Sequence, residues 1–299
     1  MNASRIGKHA WRYLAAAPRT GRVTSVFGDG FNVLFDEEDD PGFVSIQMGV
    51  VPLHPWALEI ETAGQAQVGE SVAAEPDRIR IGDGGPSVRL SIATIDELRI
   101  AEYTESEAQH ASSRLPLLEQ VLHVEPSTPS ADPFRVEIDG ILFDWRTIGE
   151  VRVLPTLIGL GSGSTPSGDD VLVGLLAGWA AFAKMDDSAS ESSAVLRPIL
   201  RGMEIPKRTH LASAQMISAA ADGAFPEPIR DLIGRIGEGE ANDAEIRRLV
   251  ERTVALGATS GRMMLRGLVR AVLRLPRSAR TAARGSSAPP SRERRRLAS

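Results

Sequence analysis

The sequence contains no cysteine among its 299 residues. Disulfide bonds, thiolate zinc sites and a cysteine nucleophile are therefore excluded, and the composition suits a reducing compartment. Histidine is scarce as well, and none of the five histidines stands at the spacing of an HxH or HExxH metal motif. We do not expect a zinc site of that kind.

Long apolar runs are also absent. The longest, 171–183, is too short to span a bilayer, which needs about 20 residues. The N-terminal segment has basic side chains but lacks the apolar core of a signal peptide. We therefore predict a cytoplasmic protein with no membrane partner.

Charge is unevenly distributed along the chain. Residues 274–299 hold eight arginines against one glutamate, so the remainder is more acidic than the net charge of −5 indicates. An acidic body does not indicate nucleic-acid binding. Residues 276–299 lack apolar periodicity and are predicted to form a disordered basic tail, which could contact a polyanion.

The pattern of turns and apolar residues predicts an α+β protein. Residues 1–150 are predicted to form a β-rich domain, an antiparallel small sheet or barrel, because short β-prone runs alternate with Gly, Asp and Pro turns. The strongest hairpin signal is the GDG turn within 23–35, and a second hairpin-like segment surrounds the DG pair at 139–140. Residues 104–123 are predicted to be helical.

Residues 151–275 are predicted to form an α-helical ligand-binding domain, because Ala and Leu dominate and β-branched runs are few. Trp179 and Phe182 are expected in its core, and 185–193 is expected to be a solvated connection. The expected helices are 169–184, 211–222, 228–235 with an extension through 243–255 after a flexible junction at 235–243, and 261–275.

The loop GLGSGSTPSGDD at 159–170 directly precedes the first of these helices. One interpretation is structural: Ser167 caps the helix, and Asp169 and Asp170 interact favourably with the helix dipole. The other is functional. Main-chain N–H groups beside small residues can surround a phosphate or carboxylate at a helix N-terminus, and the two carboxylates would then bind a divalent cation or an amide of the ligand. The small residues concerned are Gly159, Gly161, Gly163, Thr165, Ser167 and Gly168.

A second loop, GATSGRMMLRG at 257–267, repeats part of this pattern. Ser260-Gly261 aligns with Ser167-Gly168, and in both places a glycine follows seven residues after the serine. Because glycine in a helix costs about 1 kcal/mol relative to alanine, its recurrence indicates close helix–helix contact. We infer a degenerate repeat of two helices whose N-termini meet about a pseudo-twofold axis.

Two further candidates are histidines. His210 follows Lys207 and Arg208, a basic cluster that could hold an anionic substrate or be a solvated turn, and Thr209 is expected to cap the next helix. His54, between two prolines, is interpreted as a partly packed turn residue. Ser167 lacks the GxSxG context of a hydrolase nucleophile.

These motifs resemble those of the AllH-like family. GLGSGSTPSGDDVLVG is similar to a signature usually close to GLGPGLTPSGDDFLxG, so Ser162 and Ser164 stand where Pro and Leu are usual. THLASAQMI, GAFPEPI and TSGRMMLRG agree too, and the resemblance covers most of 20–275. It implies a subunit of oxamate carbamoyltransferase in allantoin-type purine catabolism, acting with an FdrA-like subunit and a further subunit of its own family on oxalurate, oxamate and carbamoyl phosphate.

The resemblance also implies roles for individual residues. Asp169 and Asp170 would be catalytic, no cofactor is firmly implied, and magnesium at these two carboxylates is one alternative. The substrate-binding residues would be Gly159, Gly161, Gly163, Thr165, Ser167, Gly168, Ser260 and Gly261. Ala258 and Met263 occupy positions where the family commonly has His and Asp, so a non-catalytic anion-binding or assembly protein is the alternative.

Overall fold

A computed structural model describes residues 1–16, 18–38, 40–61, 66–123, 134–148, 151–185 and 187–273. The predicted tail lies outside the described residues. Within them, no helix is long and apolar enough to cross a membrane. The predicted division into domains at residue 150 is not tested and stays a prediction.

The N-terminal part is a curled sheet with the spatial order β8-β7-β6-β2-β3-β4-β5-β1-β9. Its first helix, α1 (Lys8–Ala16), buries Ala10, Tyr13 and Leu14 in the apolar core of the sheet. The strands are β1 (Ala3–Gly7), β2 (Arg19–Phe27), β3 (Gly30–Phe35), β4 (Gly42–Met48), β5 (Ala57–Ile60), β6 (Ser71–Glu75), β7 (Arg78–Ile81), β8 (Ser87–Arg89) and β9 (Thr94–Asp96).

The α+β class is confirmed, with one correction to the sheet. Most neighbouring strands are antiparallel, but β4 and β5 run parallel, as do β1 and β9, so the sheet is mixed. The unforeseen β1 inserts between β5 and β9. The sheet curls, and its far edge returns to the chain start, where Arg89 N donates to Met1 O at 3.0 Å. This contact protects part of an otherwise open edge.

The remainder is helical. α4 is buried along every residue except Ala180, as expected for a helix that is apolar all round, and Trp179 and Phe182 are core residues as predicted. A 3₁₀ helix (Val151–Leu157) precedes the loop. The α-helices are α2 (Glu105–His123), α3 (Arg135–Ile148), α4 (Ser167–Phe182), α5 (Asp187–Gly202), α6 (Leu211–Ala221), α7 (Glu227–Gly237), α8 (Asp243–Val254) and α9 (Ser260–Leu273).

Two predictions of non-helical segments were wrong. The hairpin-like segment at 139–140 lies inside α3, whose Ile138, Leu142 and Trp145 are buried at helical spacing. The supposed connection at 185–193 is largely the start of α5. The predicted junction at 235–243 does separate two helices, α7 and α8, and Asn242 caps the second one by accepting from Glu245 N at 2.9 Å.

The sheet and the helices meet through polar contacts. Gln215 of α6 accepts from Phe43 N at 3.1 Å through its side chain, and from Trp56 Nε1 at 3.2 Å through its carbonyl. The Arg5 guanidinium of β1 lies 2.8 Å from Glu227 Oε1 of α7. These contacts hold the sheet against α6 and α7.

Candidate functional site

The two helices of the predicted repeat, α4 and α9, run side by side in the same direction. A Cβ added to Gly174 would lie 1.9 Å from Met264 O, and one added to Gly267 would lie 2.0 Å from Val171 O. Each glycine thus admits the backbone of the other helix. This reciprocity is the packing that a pseudo-twofold repeat predicts.

The Ser-Gly steps are equivalent too. Gly168 N donates to Leu160 O at 2.7 Å, and Gly261 N donates to Leu256 O at 3.0 Å. A Cβ at Gly168 would lie 2.1 Å from Leu157 O, and one at Gly261 would lie 1.7 Å from Thr253 O. Both glycines therefore let the preceding segment fold tightly over a helix start.

Both carboxylate oxygens of Asp169 accept hydrogen bonds from neighbouring segments of the chain. Its Oδ1 accepts from Gly159 N at 2.8 Å, its Oδ2 accepts from the Thr209 hydroxyl, and Ser213 also bonds to the carboxylate. Burial raises its pKa, and these donors oppose that shift. Asp169 therefore ties the glycine loop to the start of α6, and Thr209 is not the predicted helix cap, since His210 occupies that position.

Asp170 is also buried, but unlike Asp169 it is incompletely paired. The Ser260 hydroxyl of α9 bonds to it, and Thr165 Oγ1 lies 2.8 Å from Ser260 Oγ. Its Oδ2 is buried without a hydrogen-bond partner. Burial raises the pKa of Asp170 well above its usual value, and the nearby Asp169 raises it further, so the neutral acid is favoured.

A cavity of about 320 Å³ opens between the sheet and these helix ends. The helical side contributes two of the predicted binding residues, Thr165 and Ser260, together with both aspartates. Among the residues that the structure describes, no Lys or Arg side chain lines it. The polar lining residues are Asn32, Ser45, Gln47, His54, Ser164, Thr165, Asp169, Asp170, Ser213, Gln215 and Ser260.

The sheet side was not foreseen. Ser45 and Gln47 alternate with apolar residues along β4 and are buried, which places two polar side chains on a face that would otherwise pack as core. Asn32 of β3 accepts from the Ser45 hydroxyl at 2.8 Å. The alternation in FVSIQM was a usable signal, but a single strand does not reveal what faces it.

The other predicted binding residues are not among those that line the cavity. Gly159, Gly161 and Gly163 have φ of 80°, 134° and 88°, so they shape the loop in left-handed conformations that favour glycine. Gly168 and Gly261 serve the tight helix starts. Ser167 is buried at the first position of α4, where Pro166 occupies the cap position and no side chain caps the helix, so the predicted Ser167 cap is wrong.

His54 lines the cavity in neutral form. Burial lowers its pKa to about 4, and its Nδ1 accepts from Trp56 N at 3.3 Å. At neutral pH it therefore adds no positive charge that could hold an anion. His210 of the predicted basic cluster does not line the cavity.

A metal site is not evident in the part of the chain that the structure describes, where no group of three or more His, Cys, Asp or Glu side chains could hold an ion. Both oxygens of Asp169 already accept hydrogen bonds. The aspartate pair thus does not fit a cation held between two free carboxylates, and we assign no chemistry to one.

The helical lining of the cavity comes from the segment that also carries the sequence motifs. Residues 157–272 match the family model described as oxamate carbamoyltransferase subunit AllH. The resemblance to AllH is thereby confirmed over this segment. No curated protein and no solved structure matches the chain. The AllH match includes Asp169, Asp170 and Ser260, whereas the sheet half of the cavity lies outside it.

Proposed function

We propose that this protein is a subunit of an oxamate carbamoyltransferase complex whose cavity binds the carbamoyl end of the substrate. The observation that carries the proposal is Asp170, a buried acid with an unpartnered oxygen where two helix N-termini meet. The partners are an FdrA-like subunit and a further carbamoyltransferase subunit, in cytoplasmic allantoin-type purine catabolism. The AllH match supports the complex.

The charge of the cavity favours an amide at its inner end. A neutral Asp170 can donate its proton to a carbamoyl oxygen, which polarises the carbonyl carbon toward attack. It also avoids the repulsion that an ionised carboxylate would exert on an anionic substrate. Since the described lining residues include no Lys or Arg, the positive ends of the α4 and α9 dipoles supply the favourable potential for a nearby carboxylate or phosphate.

Gln47 is suited to hold the amide nitrogen. Its Nε2 donates to Val51 O at 3.1 Å and to Pro52 O at 2.9 Å, so its amide orientation is fixed. The opposite atom, Oε1, is then the end that can accept an N–H of the ligand. The sheet would thus recognise the NH₂ group while Asp170 recognises the carbonyl.

Titration calorimetry with oxamate, carbamoyl phosphate and phosphate, each with and without magnesium, tests ligand binding. We expect Asp170→Asn, which keeps the shape of the side chain, to weaken oxamate or carbamoyl phosphate binding at least about tenfold, because it removes the acidic proton. Asp243→Asn is the matched control, since this exposed carboxylate in the first turn of α8 lies outside the cavity. Binding should be unchanged in that variant.

The alternative is a non-catalytic assembly protein, which the buried Met263 in place of an acid favours. Equal affinity of the wild type and Asp170→Asn would contradict the proposed site. Coexpression with an FdrA-like subunit and a second carbamoyltransferase subunit, followed by size-exclusion chromatography, tests the complex separately. A protein that assembles but binds no ligand would support the alternative.

A further inference from the structure

A second concave pocket, also of about 320 Å³, lies further along α4. Trp179 contributes to its wall and stands nine residues after Asp170, so the two pockets are separated by about 13 Å along the helix axis. The rest of this pocket comes from α5, the segment after β9 and Gly223. We call it the Arg197 pocket.

One face of α5 supplies its polar side chains. Ser190, Ser193 and Arg197 are spaced so that they share a helix face, and all three line the pocket. Two hydroxyl groups and a guanidinium therefore point toward one volume. All of these groups can donate hydrogen bonds.

Arg197 is partly buried and lacks the partner that such a guanidinium normally has. Its Nε is buried with no hydrogen-bond partner, and none of the ion pairs among the described residues includes it. Burial lowers its pKa, and repulsion from Arg201 and Arg99 adds to the shift, whereas Asp222 and Glu102 oppose it. Arginine nevertheless stays protonated in proteins. The positive charge of Arg197 is therefore not neutralised by an ion pair with any described residue.

Arg99 contributes a second guanidinium to the same pocket. Its backbone is held by a β-bridge to Ala224, and the preceding Leu98 accepts from Phe225 N at 2.9 Å. Its Nε donates to Glu97 Oε2 at 3.0 Å, which leaves its terminal nitrogens available for another acceptor. Glu102 is the one acid among the described residues of the lining, and Lys184 Nζ lies 2.9 Å from its carboxylate.

We propose that the Arg197 pocket binds a small phosphate-type dianion. The fork of a guanidinium matches the oxygens of a phosphate, and two guanidiniums with two hydroxyls provide donors for several of them. The pocket is recessed between helices, which suits a small ion better than the acidic surface of a protein. This site goes beyond the proposed carbamoyl site, whose lining has no cationic side chain.

Calorimetry of the full chain with inorganic phosphate and with pyrophosphate tests the proposal. We expect saturable binding in the wild type and at least a tenfold loss of affinity in Arg197→Gln. Arg201→Gln is the matched control, because it removes the same charge one turn along α5 from a side chain already paired with Asp222 at 2.8 Å. It should change affinity by less than about threefold, since screening weakens exposed charges.

The two pockets are distinguished by crossing the variants. In an Asp170→Asn background, Arg197→Gln should cause the same loss of phosphate affinity, and circular dichroism should show that Arg197→Gln is folded. Phosphate binding that is lost in Asp170→Asn but kept in Arg197→Gln would place the ion in the main cavity and overturn the proposal. So would equal losses in the Arg197 and Arg201 variants, or binding of an acidic peptide without any binding of phosphate.

Discussion

The starts of α4 and α9 share a backbone design but differ in chemistry. Gly168 and Gly261 each lie against a carbonyl group of the preceding segment. Gly174 and Gly267 each lie against the backbone of the other helix. The next side chains diverge: Asp170 faces Ser260 across the junction, whereas its counterpart Met263 is buried in the hydrophobic core. The repeat therefore supplies a symmetric scaffold, and one half of it carries the acid.

This difference shows which features of a repeat are free to change. A glycine at a backbone crossing has no substitute, because any Cβ would meet a carbonyl oxygen at less than the contact distance. The side chain three residues after the serine meets a neighbouring side chain instead, so it can be polar or apolar. Substitutions of the shared glycines should therefore lower the stability of the protein, whereas substitutions at the divergent positions should weaken ligand binding.

The largest effect is expected for the shared glycines. Gly174→Ala and Gly267→Ala should each destabilise the protein by about 3 kcal/mol, because the added methyl group forces the two helices apart. Urea unfolding monitored by circular dichroism measures this as a lower transition midpoint. Similar losses in both variants would support the symmetry of the scaffold.

Gly234→Ala is the control for helix propensity. Gly234 lies inside α7 with no atom within 4 Å of an added Cβ, so alanine there should stabilise the protein by about 0.5–1 kcal/mol. If Gly174→Ala were stabilising as well, the tight crossing of α4 and α9 would be wrong.

The next effect concerns the divergent position, Asp170. Its folded pKa lies above the unfolded value near 3.8, so the folded state binds more protons and stability falls as pH rises through that window. Asp170→Asn removes this penalty and should be more stable than the wild type at neutral pH, by about 1.4 kcal/mol for each pH unit above the unfolded pKa over which the folded state keeps its proton. The difference should vanish below about pH 4.

Urea unfolding of both proteins across pH, with Asp243→Asn beside them, measures this linkage. The exposed control should follow the wild type, because its carboxylate is not buried. A wild type that gains stability relative to Asp170→Asn as pH rises would mean that the carboxylate is ionised and well solvated. The neutral acid in the proposed mechanism would then be untenable.

Much of the helical scaffold could be predicted from the sequence. α4, α6 and α9 have Ala- and Leu-rich patterns with clear starts, and the repeated Ser-Gly steps indicated their contact. α5 could not, because MDDSASESS is polar throughout, and the helix forms by burying residues further along, such as Leu196 and Leu200. For α3, a DG pair normally typical of a turn was outweighed by tertiary packing of the apolar face.

The site was predictable in its helical half alone. Thr165, Asp170 and Ser260 follow from two sequence motifs meeting. Asn32 and Gln47 line the same cavity because the sheet, which is distant in sequence, packs against the helices. No local sequence pattern predicts that packing. Ser167 was misread because a serine before a helix usually caps it, and here the chain enters the helix one residue earlier.

The smallest expected effects on stability concern the two serines at the starts of α4 and α9. Ser167 and Ser260 are equivalent in the repeat, yet Ser167 makes no capping bond and Ser260 bonds to Asp170. Ser167→Ala should therefore cost less than about 0.5 kcal/mol, while Ser260→Ala should cost about 1–2 kcal/mol by leaving Asp170 with fewer partners. Asn242→Ala, which removes a true cap, should cost about 1 kcal/mol and calibrates the measurement. Equal losses of stability for the two serine variants would mean that the Ser260 hydroxyl of α9 does not stabilise the buried Asp170.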